Sequence, residues 1–426
     1  MQLGGYERGR LLNKLADAIE ANQQELAELE VLDNGKSMFE AYNIDLPLVI
    51  QCYRYFAGLA DKISGTVPSP SGPVAKGLFA TIEKEPVGVV GAIIPWNFPL
   101  LMQAWKLAPA LAAGCTVVMK TAPQTPLTGN RIMELMQEVG FPAGACNVVP
   151  GDDETGKILT RHEGLDKLAF TGSTAVGRSI MAQAAASPKL ARVTLELGGK
   201  SPFVVYEDAD MDTALAMADL ALFLNQGQAC CAAGRIFVHE NIYDEFCERV
   251  AVQTANRPLG DGYTITDGFG HGAQVSAEQA NSIMGYINSG KAEGAKVLTG
   301  GDRVDRAGHF VTPTVFADVT DDMTICNEEI FGPVMSILKF SEVDEVIARA
   351  NASEYGLAAA VFTKDFGKAR HFVENIRAGS VWVNCYNTFD AALPFGGFKA
   401  SGIGRELGEG AINNYLESKT CVWGQF

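Results

Sequence analysis

Two adjacent thiols in a run of small residues carry the first chemical signal: Asn225-Gln-Gly-Gln-Ala-Cys-Cys-Ala-Ala-Gly-Arg235. The segment joins an apolar helical run to a β run. Small neighbours let backbone amides approach a reacting carbonyl, and a thiolate is the nucleophile that such a site needs. The alternative is that Cys230 and Cys231 are inert packing residues, as buried cysteines usually are. A carboxylate stands in Thr194-Leu-Glu-Leu-Gly-Gly-Lys-Ser-Pro202. Glu196, between two leucines at a strand edge, is costly to bury ionised, so its pKa should rise toward that of a general base working near neutrality. A surface glutamate at a strand end is the competing reading. In Phe170-Thr-Gly-Ser-Thr-Ala-Val-Gly177, Gly172 and Gly177 straddle a strand-to-helix junction. Free amides at a helix N-terminus bind phosphate, and a dinucleotide pyrophosphate fits there. Ordinary tight turns look the same, and the G-x-G-x-x-G fingerprint is missing.

These residues need elements to hold them. From Pro86 to Lys200 short apolar runs (Val87–Ile94, Thr116–Met119, Cys146–Val149, Lys167–Phe170) alternate with helical stretches such as Leu127–Val139. Strands alternating with helices predict a parallel α/β sheet. A second α/β series follows: Phe203–Tyr206, a helix over Met211–Asn225, Ile236–His239, Val334–Phe340 and Ser380–Asn384. The first sixty residues read as helices, with Leu12, Leu15, Ile19, Leu26 and Leu29 at three- and four-residue spacing. Lys62–Pro86, with Pro68, Pro70 and Pro73, reads as an extended excursion or hairpin.

A chain of 426 residues exceeds one ordinary core and predicts two domains. Its 34 basic and 50 acidic residues give a net charge of −16, which disfavours nucleic acid or an anionic membrane as partner. Five scattered histidines show no metal-ligand spacing. Nine cysteines, an odd count at irregular spacing, predict reduced thiols and an intracellular setting. No apolar run reaches bilayer length, and the first residues lack a signal-peptide pattern.

Taken in order, these segments resemble the aldehyde dehydrogenase superfamily, close to the non-acylating class that oxidises acetaldehyde and retinal. The resemblance spans nearly the whole chain. It rests on Ile94-Pro-Trp-Asn-Phe-Pro-Leu-Leu-Met-Gln-Ala-Trp-Lys106, Leu195-Glu-Leu-Gly-Gly-Lys200, the Cys230 segment, Glu328-Glu-Ile-Phe-Gly-Pro333 and Pro394-Phe-Gly-Gly-Phe-Lys399. It implies a Rossmann-type coenzyme domain (1–62 and 87–198), an α/β catalytic domain (199–400) and oligomerisation segments (63–86 and 411–426). By the same resemblance Cys230 is the nucleophile, Glu196 the general base and Asn97 an oxyanion donor, while Lys106 and Glu406 relay protons. Lys120 and Glu329 would bind the two riboses, and Phe331 would pack near the nicotinamide. Pro95, Trp96, Gly172, Ser173, Gly177 and Leu197 would complete the cofactor crevice. Phe98, Trp105, Phe389 and Phe395 would line a tunnel for an uncharged, apolar aldehyde, although each alone reads as core packing.

The implied cofactor is NAD. Pro123 stands where the class has a ribose-binding glutamate, so NADP is admitted as well. The implied partner is a second copy of the chain, as homodimer or homotetramer, and the implied compartment is the cytoplasm, with an organelle left open. Relatives carry several dozen residues before the Arg8 segment. A truncated, non-catalytic relative and a cofactor-independent thiol esterase are the alternative readings.

Overall fold

A computed structural model describes residues 3–74 and 76–424; the oligomerisation segments drawn from sequence include Ala75, Gln425 and Phe426, and the coenzyme segment Met1 and Gln2, which lie outside the described residues. Two sheets organise the chain. The first has six strands in the order Gly402–Ile403, Arg192–Glu196, Lys167–Thr171, Val89–Ile93, Thr116–Lys120 and Cys146–Val148. All pair in parallel except Gly402–Ile403, which runs antiparallel to Leu195 and Glu196. The second has seven, in the order Ser380–Val383, Ala358–Phe362, Pro202–Val205, Arg235–His239, Val334–Phe340, Thr314–Ala317 and Lys296–Thr299, with only the last antiparallel. Strands buried on both faces read as continuous apolar runs, which is why Pro202–Val205 and Ala358–Phe362 show no alternation.

Helices Gly5–Ala21, Gln23–Asn34 and Leu46–Leu59 form the N-terminal layer, as the leucine spacing predicts. A turn of π-helix, Ala41–Asp45, precedes the third. Between this layer and the first sheet lies Pro99–Ala113, a helix in which every residue is buried. Pro99 starts it without losing a needed N–H, and Gly114, at φ 95°, ends it in the left-handed conformation that glycine adopts at least cost.

Three expectations need adjustment. The helix predicted over Met211–Asn225 stops at Phe223, because Asn225 and Gln226 take positive φ (49° and 58°) and turn the chain sharply toward Cys230. Among its described residues the Lys62–Pro86 excursion holds one isolated internal bridge, Thr66 to Ile82; its strand Phe79–Pro86 pairs instead with Leu416–Trp423, antiparallel over eight residues. Strands Ala358–Phe362, Thr314–Ala317 and Lys296–Thr299 were not anticipated; the first is an Ala-rich run that also reads as helix.

Candidate active site

The loops at the C-terminal ends of both sheets meet over a cavity of about 380 Å³. Its walls include Pro95, Trp96, Asn97, Phe98, Trp105, Gly172, Ser173, Glu196, Cys230, Glu329, Phe331, Phe389 and Phe395, so thirteen residues singled out from sequence converge on one space. Lys106, Glu406, Lys120, Gly177 and Leu197 lie outside that lining.

The nucleophile candidate is placed by strain. Asn225, Gln226 and Gly227 are successive left-handed residues, a conformation that costs a non-glycine residue about 1–3 kcal/mol and needs outside support. The support is a network of buried amides. Asn225 Nδ2 donates to the Asn97 carbonyl (2.6 Å), and Asn97 Nδ2 donates to the Gln228 carbonyl (2.9 Å). Asn97 therefore has one N–H committed to the nucleophile's own loop and a second still available. No acceptor meets the backbone N–H of Cys230 among the described residues.

The two thiols differ. Cys231 is buried, its Sγ lies 3.4 Å from Asn387 Oδ1, and its carbonyl accepts the Tyr386 hydroxyl (2.7 Å). Cys230 keeps partial exposure. Its pKa is pushed well above the ordinary thiol range by Cys231, by burial and by the Glu196 carboxylate. The resting thiol therefore keeps its proton and needs a base.

Glu196 ends its strand and is 2% exposed, and apart from the neighbouring Cys230 thiol neither carboxylate oxygen meets a hydrogen-bond donor. Burial raises its pKa to about 7, against the lowering effect of the Cys230 thiol and Lys106. Behind it, Lys106 Nζ donates to Glu406 Oε1 (2.6 Å) and Thr171 Oγ1 (2.8 Å). Thr171 lines the cavity and stands in register with Glu196 on the neighbouring strand.

On the other side of the cavity Ser173 caps the thirteen-residue helix Thr174–Ala186, its Oγ accepting the Val176 N–H (3.4 Å). Close approach is enforced by glycines. A Cβ on Gly198 would stand 2.0 Å from Glu329 Oε2, and one on Gly177 would stand 2.6 Å from Leu197. Glu329 Oε1 accepts the Gly199 N–H (3.0 Å), and burial raises this carboxylate to about 7. The rings of Trp96 and Phe331 meet edge to face at 5.2 Å. Lys120 lies at the end of its strand with its stem 3.6 Å from the Cβ position of Gly156; burial lowers its pKa, opposed by Asp153 and Asp152. Pro123 sits in the exposed turn that follows.

The apolar wall is a cluster of aromatic rings: Trp105 to Phe395 at 5.4 Å, Phe389 to Phe395 at 5.3 Å, Trp105 to Phe389 at 6.1 Å. Phe98 carries Lys36 Nζ 4.3 Å above its ring. Sequence reasoning missed Thr171, Gln228, Asn34 and the aliphatic lining supplied by Leu48, Met102 and Leu220. Thr171 lies beside Gly172 in the segment whose glycines carry the phosphate signal; the others sit in runs whose local pattern reads as packing.

This fold is that of the aldehyde dehydrogenases. A solved aldehyde dehydrogenase from Bacillus cereus, described as an NAD+ complex, superposes with a TM-score of 0.95 at 47% identity, covering 99% of this chain and 84% of that one. Betaine aldehyde dehydrogenase from Staphylococcus aureus, in complex with NAD+, gives 0.95 at 40% identity over 100% of this chain and 84% of its own. In sequence the chain is 55% identical to the mitochondrial aldehyde dehydrogenase of Homo sapiens, over 99% of this chain and 80% of that protein. It is 50% identical to the mitochondrial benzaldehyde dehydrogenase of Antirrhinum majus, over 99% of this chain and 78% of that protein. The chain belongs to the aldehyde dehydrogenase family, whose model matches residues 1–421, and it is an oxidoreductase acting on aldehydes.

Proposed function

We propose that this enzyme oxidises an uncharged, apolar aldehyde to the carboxylic acid with NAD, using Cys230 as nucleophile and Glu196 as base. The observation that carries this reading is the pair itself: a buried carboxylate whose one neighbouring donor, among the described residues, is a thiol that cannot ionise unaided.

Cys230 Sγ bonds to the aldehyde carbon while its proton passes to Glu196. The oxygen that becomes anionic is met by the spare N–H of Asn97 and the backbone N–H of Cys230. Losing one such donor typically lowers kcat by about 10²–10³. NAD, when bound, supplies the acceptor for two electrons and the hydrogen released from the substrate carbon. What remains on Cys230 is a thioester. Once that first proton has left Glu196, the carboxylate takes a proton from water, whose oxygen attacks the thioester; the C–S bond breaks, the carboxylic acid is released and Cys230 recovers its proton. Lys106, Thr171 and Glu406 give the proton on Glu196 a chain of polar atoms leading away from the cavity.

The residues present fit a dinucleotide. The capped start of helix Thr174–Ala186 offers free N–H groups to a phosphate, and Gly172 just before it makes room for the Phe170 ring, which a Cβ would approach to 2.5 Å. Ser173, Gly177 and Leu197 would frame that end, Lys120 and Glu329 would hold the riboses, and Pro95, Trp96 and Phe331 would pack about the nicotinamide. The NAD+ complexes of the Bacillus cereus and Staphylococcus aureus neighbours support this assignment. Pro123 offers no carboxylate to the ribose or against a second phosphate, so NADP is accepted too, and Pro123→Glu should raise the NAD-to-NADP ratio of kcat/KM by about tenfold, one charge-assisted hydrogen bond.

Residues 1–62 and 87–198 form the coenzyme-binding domain in this reading, and 199–400 the catalytic domain. The ribbon of Phe79–Pro86 on Leu416–Trp423, with Phe79 and Val422 exposed, suits pairing with a second copy as a dimer or a dimer of dimers. Light scattering at micromolar concentration tests this, and deletion of 63–86 should leave a monomer. All nine cysteines are free, which suits a reducing intracellular compartment, the cytoplasm in the first instance. The human and Antirrhinum relatives are named mitochondrial, which keeps an organelle as the alternative. Among the described residues no helix is long and apolar enough to cross a membrane. The decisive experiment is Cys230→Ala, which should abolish aldehyde-dependent NADH formation while NAD still binds; activity in that variant removes Cys230 from the mechanism.

A further inference from the structure

The helix Gln23–Asn34 ends beneath the cavity, and the residues at and after its C-terminus touch both of the loops that carry the chemistry. Asn34 is 1% exposed, and its Nδ2 donates to the carbonyls of Trp96 (2.9 Å) and Asn97 (3.2 Å). Two carbonyl oxygens facing one side-chain amide can be satisfied only by its NH₂ end, so the orientation follows from the neighbours. Gly35, at φ 87°, turns its own carbonyl toward Gln226 Nε2 (2.9 Å); a Cβ there would stand 2.8 Å from the Ala273 carbonyl oxygen. Glu40 Oε2 accepts the N–H of Asn225 (3.1 Å). Lys36, fully buried and paired with Asp45 and Glu30, lies over the Phe98 ring.

One short segment thus fixes the loop of Trp96–Phe98 and the left-handed turn of Asn225–Gly227 relative to each other. We infer that Asn34 is a positioning residue for oxidation: it holds the Trp96 and Asn97 peptides so that the Asn97 side chain and the Cys230 N–H converge on one point. The inference rests on the reading of Asn97 as an oxyanion donor. Asn34 is too deeply buried to be a surface cap, and neither of its acceptors belongs to its own helix. Without it the Asn97 carbonyl keeps only Asn225, and the Trp96 carbonyl loses this bond. The peptide between them can then rotate and carry the side chain off target. A misplacement of about 1 Å at a reacting centre is enough for an effect of about 10²-fold.

A double-mutant cycle tests this in the full-length enzyme: Asn34→Ala, Asn97→Ala, the double variant, and Asn34→Ser, whose hydroxyl can still donate to one carbonyl. We read kcat and KM separately, with NAD affinity by fluorescence titration and the unfolding midpoint alongside. Asn97→Ala should lower kcat by about 10²–10³. Asn34→Ala should lower kcat by about 10–10² with NAD affinity unchanged, and Asn34→Ser should recover part of it. In the Asn97→Ala background the Asn34 substitution should cost under about threefold, because the group it positions is already gone. Should Asn34→Ala not fold, the same cycle is run with Asn34→Ser. A full, additive loss in that background overturns the inference while leaving Asn97 in its role. An Asn97→Ala enzyme with normal kcat overturns the oxyanion reading itself, and the positioning role with it.

Discussion

The two sides of the cavity each carry a carboxylate raised to about 7 by desolvation, Glu196 buried and Glu329 half-buried, yet the two are held differently. Glu196 has no backbone donor on either oxygen, only the Cys230 thiol beside it. Glu329 accepts a backbone N–H from Gly199 and is pressed by Gly198, where no Cβ fits. A carboxylate with unmet oxygens is ready to take a proton, whereas one pinned by its backbone neighbour is suited to accept hydrogen bonds at a fixed place. Similar titration behaviour thus serves two purposes, and hydrogen-bond satisfaction, not pKa, tells them apart.

Breaking the first side should have the largest effect. Glu196→Gln should lower steady-state turnover by about 10²–10⁴ and produce a burst of NADH followed by a slow phase, because water attack on the thioester becomes limiting. In the parent enzyme kcat should rise as pH passes through about 7, the value at which Glu196 loses its proton. Unchanged turnover in the variant would erase the distinction between the two carboxylates.

Stability offers the next contrast, and its sign is opposite to activity. The folded Glu196 keeps its proton up to about 7, while the unfolded chain releases it near 4.5, so the native state binds more protons across that window. Stability from this group is therefore lost as pH rises from 4.5 to 7. Glu196→Gln removes the titration, so relative to the parent it should gain up to ~3 kcal/mol between pH 5 and pH 8, measured by urea unfolding at both. An inactive variant that is more stable at pH 8 would mark Glu196 as strained for function.

On the other side, Glu329→Gln keeps an acceptor for Gly199 and should raise KM for NAD by about tenfold, the worth of a weakened charged hydrogen bond, with a smaller change in kcat. A burst like that of Glu196→Gln would show that the two carboxylates share a role. The smallest effect is expected at Cys231, which has its neighbours met by Asn387 and Tyr386. Cys231→Ala should keep kcat within about threefold, the size of a substitution away from reacting atoms. If it abolished turnover while Cys230→Ala did not, the nucleophile would be one residue further on.

Much of this was legible in the chain. The two leucines around Glu196 left burial and a surface strand end both open, and the long motifs around Cys230, Asn97 and Glu329 pointed to one place. What stayed hidden is the support. Asn34-Gly35 reads as an ordinary helix ending, and nothing local says that its amide reaches carbonyls more than sixty residues away (|i−j| of 62 and 63). Gln228 looked like part of a small-residue run, yet its carbonyl anchors Asn97. Residue patterns report which face of an element is apolar; they do not report which distant carbonyl needs a donor.

The position of Glu406 has a consequence for how the enzyme comes into being on the ribosome. Strand Gly402–Ile403 closes one edge of the first sheet, Glu406 completes the Lys106 pair, and Leu416–Trp423 completes the ribbon with Phe79–Pro86. All three belong to a stretch translated after every other strand of both sheets. Domains fold in the order they are synthesised where their contacts allow it, but here the first half of the chain must wait for the last to finish its edge, its buried lysine and its arm. A nascent chain lacking that stretch holds Lys106 without its carboxylate and Phe79–Pro86 without its partner strand.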